Sequence, residues 1–278
     1  MAILLNGKEL AIQRSEALRE EISLFPTQPT LVIIQIGNVP ESDIYIKRKI
    51  QSGEQLGAKV IHQKYDSDIS QEVVMDDIRN YNEDQNIHGI IVQLPLPENL
   101  NKNSIIETIN PKKDVDGLTS VNVKNLTCNN LGIIPATTKG VITLLKHYSV
   151  ELVGAHIVVV GRSSLVGKPT ALALINENAT VTICHSQTKN LEEITKTGDI
   201  IITATGKQNL ITAQHVQEGQ VIVDVGIHAI EDDGKKITGD VDFKNVEPIV
   251  EMLSPVPGGV GPMTVVSLFE NLVDAYRK

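Results

Sequence analysis

The chain has 278 residues, 41% of them apolar, with a formal net charge of −9 and a pI near 5.3. That length suggests two domains with a substantial core, and the acidic balance disfavours nucleic acid and anionic membrane as partners. No apolar run approaches the ~20 residues that span a bilayer, and the first eight residues lack the basic start and apolar centre of a signal peptide. Cys128 and Cys184 make neither a disulfide framework nor a metal-spaced cluster, which reads as two reduced thiols of a cytoplasmic protein without a bound metal. Residues 8–25 then read as a helix, with Ala11, Leu18, Ile22 and Phe25 on one face. Residues 30–36 read as a buried strand followed by a Gly-Asn-Val-Pro turn. A second helix runs to about Leu56, capped by Ser42 or Asp43 and stopped by Gly57. Residues 58–65 read as a strand, 70–81 as a helix, 89–94 as a buried strand and 103–109 as a short helix. From 110 to 137 the periodicity weakens into Asn, Gly, Thr and Lys, as suits a connection between domains. A helix over 138–148 precedes strands at 156–160, 180–184, 199–204 and 221–225, with helices near 168–176, 190–197 and 212–216. Strands alternating with helices imply an α/β protein with parallel sheets, and the second half has a doubly wound, Rossmann-like layout. Residues 263–277 read as an amphipathic helix that returns to the first domain.

The turn after strand 156–160 reads Gly161-Arg162-Ser163 and leads through Gly167 and Pro169 into a helix. Strand, glycine turn and helix N-terminus make an anion site, because free N–H groups point at whatever sits there. The spacing is G-x-S-x-x-x-G, a variant of the dinucleotide fingerprint, and a plain strand–turn–helix corner reads the same way. The next strand ends in His185-Ser186-Gln187-Thr188, without the carboxylate that holds a ribose 2′-hydroxyl in NAD sites. Ser186 can donate to a 2′-phosphate and Arg162 can reach the same corner, which favours NADP over NAD. Arg162 as a solvated loop charge is the competing account, and His185 is read as capping a backbone group. Thr205-Gly206 and Gly226-Ile227 follow the next two strands and place glycine turns where ligands lie in such sheets.

Four further segments carry more specific chemistry. Tyr45 and Lys49 are four apart and share a helix face, so a ring can sit beside an amine; an exposed basic helix is the alternative. The same Tyr-x-x-x-Lys spacing in short-chain dehydrogenases lies downstream of the glycine turn, whereas here it lies far upstream, which excludes that reading. Gln93 and Leu94, before Pro95, end a buried strand with one amide that needs partners and can orient Lys49. Asp116, before Gly117, can accept two hydrogen bonds from an amidine-like edge, or simply form an Asp-Gly turn. Finally, residues 254–264 include Pro257, Gly258 and Gly259 in a run too stiff and too apolar for a linker, as suits a wall that a ligand approaches closely.

In order along the chain, Tyr45-x-x-x-Lys49, Val92-Gln93-Leu94-Pro95, Lys113-Asp114-Val115-Asp116-Gly117, Gly161-Arg162-Ser163 and Pro255-Val256-Pro257-Gly258-Gly259-Val260-Gly261-Pro262-Met263-Thr264 resemble the bifunctional methylenetetrahydrofolate dehydrogenase/methenyltetrahydrofolate cyclohydrolase family. The resemblance implies a folate-binding catalytic domain over 1–137 plus 262–278 and an NADP-binding domain over 138–261. It also implies tetrahydrofolate substrates, a homodimer, and hydride transfer followed by hydrolysis. Under it Lys49 is the proton acceptor or polarising group for hydrolysis, with Gln93 orienting it. Tyr45 stacks on the aminobenzoate ring, Asp116 holds the pterin edge, and Leu94, Pro257, Gly258 and Gly259 line the folate slot. Gly161, Arg162, Ser163, Gly167, Ser186, Thr205, Gly206 and Ile227 fall to the nucleotide. One departure is Pro135-Ala136-Thr137-Thr138 where the family has Pro-Cys-Thr-Pro, which removes a thiol and changes the entry to the following helix. The rival readings are a two-domain NADP dehydrogenase of the shikimate dehydrogenase type and a non-catalytic NADP sensor. The Pro/Gly block argues against the first, and the presence of both Lys49 and Gln93 against the second.

Overall fold

The computed structural model describes residues 1–230 and 236–278, which divide into two compact units. One unit comprises residues 13–136 and 265–278, the other residues 1–12 and 137–264.

The first of these is built on a parallel sheet of β2 (Thr30–Ile36), β3 (Lys59–Tyr65) and β4 (Gly89–Val92), in the order β3-β2-β4. β2 is buried along its whole length because it is central, while edge strand β3 is polar on its outer positions. Val32, Ile34, Ile90 and Val92 pack against Val74 and Ile78 of α3 (Gln71–Glu83) and Ile105 of α4 (Lys102–Glu107). Helix α2 (Pro40–Leu56) starts before the expected cap: Ser42 is buried, its hydroxyl donating to the Leu94 carbonyl at 3.4 Å. It ends on Gly57 in the left-handed region (φ +82°), as the glycine predicted. The stretch expected to be a mere connection is ordered and carries helix α5 (Ser120–Thr127). Asp114, 1% exposed, accepts from the Thr119 N–H and hydroxyl at 2.8 Å and from Asn122 at 2.9 Å. One backbone N–H and two side-chain donors of this stretch are thus satisfied by one buried carboxylate. The end of α10 (Val260–Tyr276) completes this unit, with Asn271 donating to the Val115 and Ile134 carbonyls at 2.9 and 2.8 Å.

The second unit holds a six-stranded sheet of order β1-β11-β8-β7-β5-β6, every pairing parallel. Its strands are β1 (Ile3–Leu4), β5 (His156–Val160), β6 (Thr180–Cys184), β7 (Ile200–Thr203), β8 (Val221–Asp224) and β11 (Met252–Leu253). Helices α6 (Ala136–His147), α7 (Gly167–Asn176) and α8 (Leu191–Lys196) alternate with them, and α9 (Phe243–Val246) precedes β11. A two-stranded antiparallel ribbon, β9 (His228–Ile230) with β10 (Lys236–Thr238), follows β8. The sequence boundary needs one correction here. Residues 1–12 group with this unit, because β1 pairs with β11 at Ile3–Met252 and Leu4–Leu253. Two-residue strands carry no readable alternation, so neither was foreseeable. Helix α1 (Gly7–Ser23) begins in this unit and continues in the other. Where the family's Pro-Cys-Thr-Pro is replaced, helix α6 starts at Ala136, and the buried Thr138 hydroxyl pairs with that of Thr170 at 3.1 Å. Among the described residues no helix is long and apolar enough to cross a membrane.

Candidate active site

In the unit of residues 13–136 and 265–278, three of the sequence-selected side chains converge. Lys49 lies one turn after Tyr45 on α2, and its Nζ donates to Gln93 Oε1 at 3.0 Å. Gln93 follows β4. Its N–H donates to the Ile34 carbonyl at 2.8 Å and its Nε2 to the Leu94 carbonyl at 2.9 Å, so the amide oxygen is aimed at the amine. Asp116 is close enough to interact electrostatically with Lys49. Lys49, Gln93, Tyr45 and Asp116 are all half-buried. Burial pushes the Lys49 amine down from its ordinary value, with the Asp116 charge pulling the other way. Burial pushes the Asp116 carboxyl up, which Lys49 opposes and Asp114 reinforces. Burial also raises the Tyr45 phenol, against Arg48.

The backbone around Asp116 explains its placement. Lys113 donates to the Tyr81 and Asp84 carbonyls at 2.9 and 2.7 Å, Asp114 holds the Thr119–Asn122 turn, and Val115 enters the core. Gly117 has φ +69°, and a Cβ there would come within 2.8 Å of Pro135 N. Nothing in the sequence of the D-V-D-G run separates Asp114 from Asp116; only the fold distinguishes the buried carboxylate from the half-open one.

In the other unit the parallel strands bring the remaining candidates to the carboxyl ends of one sheet. Gly161 has φ +134°, and a Cβ on it would meet the Ala204 carbonyl oxygen at 2.3 Å; one on Gly167 would meet the Gly161 carbonyl oxygen at 2.3 Å. These glycines let strand end and helix start pass in contact. Arg162, Ser163, Ser186, Gly206, Ile227 and Pro257 are exposed, Thr205 and Gly258 half-buried, and Gly259 buried. The helix N-terminus itself differs from expectation. Ser163 Oγ accepts from the N–H groups of Val166 and Gly167 at 3.1 and 3.3 Å, and the Ser163 carbonyl accepts from Lys168 at 3.0 Å. Pro169 has no N–H, and Thr170 donates to Val166. The first turn of α7 therefore has its donors engaged internally, so any anion here meets the exposed side chains of the turn. His185 caps backbone, its Nδ1 accepting from the Gln187 N–H at 3.1 Å. The β6 corner, with Ser186 and no carboxylate, fits a 2′-phosphorylated nucleotide.

Behind these turns lie two buried carboxylates. Asp240, 0% exposed, accepts at Oδ2 from the Thr203 hydroxyl (3.0 Å), the Thr205 N–H (2.6 Å) and the Thr205 hydroxyl (2.9 Å). At Oδ1 it accepts from the Lys207 N–H (3.1 Å) and pairs with His228 Nε2 (2.8 Å). Asp224, 3% exposed, accepts from the N–H groups of Gly226, Asp240 and Val241 at 2.9–3.1 Å, while its own N–H donates to Ser254 Oγ at 2.7 Å. Burial opposes ionisation of Asp240, but these donors outweigh it and hold its pKa below the ordinary value. Burial pushes Asp224 up to about 6 despite its backbone donors. The readable signal was the pair Asp224-Val225-Gly226 and Gly239-Asp240-Val241. A Cβ on Gly239 would lie 1.9 Å from Asp224 Oδ2, and one on Gly226 would lie 2.2 Å from Asp240 Oδ1.

Residues 5–116 match the family model described as tetrahydrofolate dehydrogenase/cyclohydrolase, catalytic domain, and residues 135–278 match its NAD(P)-binding domain. The chain belongs to the tetrahydrofolate dehydrogenase/cyclohydrolase family. It is 44% identical over 280 residues to the bifunctional protein FolD of Halalkalibacterium halodurans, covering 100% of this chain and 99% of that one. The crystal structure of the bifunctional enzyme FolD from Campylobacter jejuni superposes with a TM-score of 0.97 at 40% identity, covering 100% and 99% of the two chains. A Trypanosoma brucei FolD, complexed with NADP cofactor and inhibitor, gives 0.95 at 32% identity, covering 99% and 97%. Shikimate dehydrogenase from Aquifex aeolicus gives 0.53 at 16% identity, a likeness of fold alone. Within this dehydrogenase/cyclohydrolase chain, Tyr45, Lys49, Gln93, Leu94 and Asp116 fall in the unit of residues 13–136 and 265–278, and the other candidates fall in the second.

Proposed function

We propose that this protein oxidises 5,10-methylenetetrahydrofolate to the 5,10-methenyl cation with NADP, then hydrolyses that cation to 10-formyltetrahydrofolate. The observation that carries the reading is the Lys49–Gln93 hydrogen bond beside Asp116, in a chain of this family. NADP supplies the hydride acceptor when bound. Loss of hydride leaves a positive charge shared between two folate nitrogens, so this step asks the chain for alignment rather than proton transfer. Tyr45 stacks on the aminobenzoate ring, Asp116 accepts from the amidine edge of the pterin, and Leu94 lines the folate slot. Arg162, Ser163, Ser186, Thr205, Gly206 and Ile227 hold the nucleotide, with Arg162 and Ser186 toward its 2′-phosphate, while Gly161 and Gly167 let the turn that carries them close against strand and helix.

Hydrolysis needs a proton acceptor. Water adds to the methenyl carbon as one of its protons passes to the uncharged Lys49 amine. The added hydroxyl then loses its second proton as C=O forms and the bond to N5 breaks, N5 takes up one proton, and one proton is released overall. An ordinary lysine titrates near ~10.4 and is a poor base at neutral pH; the downward shift at Lys49 serves this step. We further propose a cytoplasmic homodimer, paired through the nucleotide-binding unit, whose sheet ends in edge strand β6 with Ile183 exposed.

The test follows methenyl formation and decay by absorbance, with NADP and with NAD. The wild type should form and then consume the intermediate, with the lower KM for NADP. Lys49→Met should still form it but hydrolyse it at least ~100-fold more slowly. Undiminished hydrolysis by that variant overturns the role of Lys49, and no methenyl formation by the wild type overturns the function.

A further inference from the structure

The buried carboxylate of Asp240 belongs to no step above, yet it gathers more polar partners than any surface role requires. Its five donors come from four residues on three segments: Thr203 at the end of β7, Thr205 and Lys207 in the turn after it, and His228 at the start of β9. Two of those segments carry candidate nucleotide residues, Thr205 and Gly206 in one and Ile227 next to His228 in the other. A third connection runs through Asp224. Its Oδ1 accepts from the Asp240 N–H, and its own N–H donates to Ser254, the residue that opens the Pro/Gly block. The missing side chains of Gly226 and Gly239 make room for the two carboxylates, and any Cβ at either position would overlap one of them.

We infer that Asp240 is a positioning residue for the nucleotide site, a buried anion that fixes the Thr205–Lys207 turn and the His228 strand in one arrangement before the nucleotide arrives. This inference rests on the reading of that sheet end as the NADP site. A neutral amide cannot take its place. It has one acceptor oxygen, and its NH₂ would face N–H or O–H donors already aimed at a carboxylate oxygen. At least one buried donor is then unpaired, and the turn relaxes. The ordering cost that folding has already met must then be met on binding. The depressed pKa of Asp240 agrees, since its donors favour the charged form over burial.

The test uses the full chain with Asp240→Asn, read by calorimetric titration with NADP, by amide hydrogen exchange without nucleotide, and by hydrolysis of added methenyltetrahydrofolate, which uses no nucleotide. The expected result is a Kd for NADP raised by about tenfold or more, faster exchange at Thr205 and Lys207, and retained hydrolysis. An unchanged Kd overturns the inference, and so does equal loss of NADP binding and hydrolysis, which marks a merely structural role. Thr203→Val removes one buried hydroxyl donor to Asp240 at a residue outside the proposed nucleotide contacts, and decides the matter should Asp240→Asn not fold. Its Kd should rise less, and an unchanged value overturns the inference. If the wild type binds no NADP, the functional reading fails instead.

Discussion

Lys49 sits under opposing influences, and the balance between them sets the pH at which its amine is uncharged. Burial lowers its pKa; the Asp116 carboxylate raises it by favouring the ammonium form. Gln93 Oε1, which accepts from Nζ at 3.0 Å, orients the group in either state. If the amine takes the proton of the attacking water, the acid limb of the hydrolysis rate profile is the titration of Lys49. Asp116→Asn removes the raising influence and leaves burial, so the pKa falls further. The acid limb of kcat should then move to lower pH, with a higher KM because the pterin edge loses a charged acceptor. Measuring hydrolysis of methenyltetrahydrofolate across the pH range checks this. A limb that stays put, or moves to higher pH, removes Asp116 from the electrostatics of Lys49.

Helix α2 carries Tyr45 and Lys49, and Gly53 shows how tightly it is seated. In a helix exposed to water, Gly→Ala stabilises by about 1 kcal/mol. Here an added Cβ would lie 2.4 Å from Val60 Cγ2 and 3.2 Å from the Phe269 ring, and overpacking of that kind costs about 1–3 kcal/mol. Gly53→Ala should therefore lower the urea midpoint and slow hydrolysis by displacing α2 from Gln93. A more stable, fully active variant would show that α2 has room to shift. The sequence does not mark Gly53, because its neighbours, Val60 and Phe269, lie on other elements. The same limit separates what could be read from what could not. Strands 30–36, 156–160 and 180–184 match to the residue, since each apolar run meets its own turn signals. The Lys49–Gln93 pair, 44 residues apart, was legible because a lone amide ending an apolar strand needs a partner. Helix α5 was hidden, its N-terminal end held by Asp114 and by Glu107, which accepts from the Ser120 N–H and hydroxyl at 2.8 and 2.7 Å. Nor could composition show Ser163 folding back to occupy the first N–H groups of α7.

At the scale of the molecule, the path of the chain matters more than its length. It changes unit three times, after Ile12, Ala136 and Thr264, so neither unit is one continuous segment. The unit bearing Lys49 takes its last segment from the far end of the chain. There Phe269 is fully buried beside Gly53, Leu272 lies against Gly89, and Asn271 satisfies the Val115 and Ile134 carbonyls. Loss of a buried Phe alone costs about 3–5 kcal/mol, and the buried Val115 carbonyl without its donor adds about 1–3 kcal/mol. Against a stability of about 5–15 kcal/mol for a whole domain, a fragment of residues 13–136 should not fold cooperatively. Joining residues 265–278 to it through a flexible Gly/Ser linker restores those contacts and should restore a sigmoidal urea transition. Circular dichroism of the two fragments side by side tests this. A cooperative transition in the shorter fragment would mean that the returning segment is dispensable, and that the sequence boundary near residue 137 alone delimits the unit.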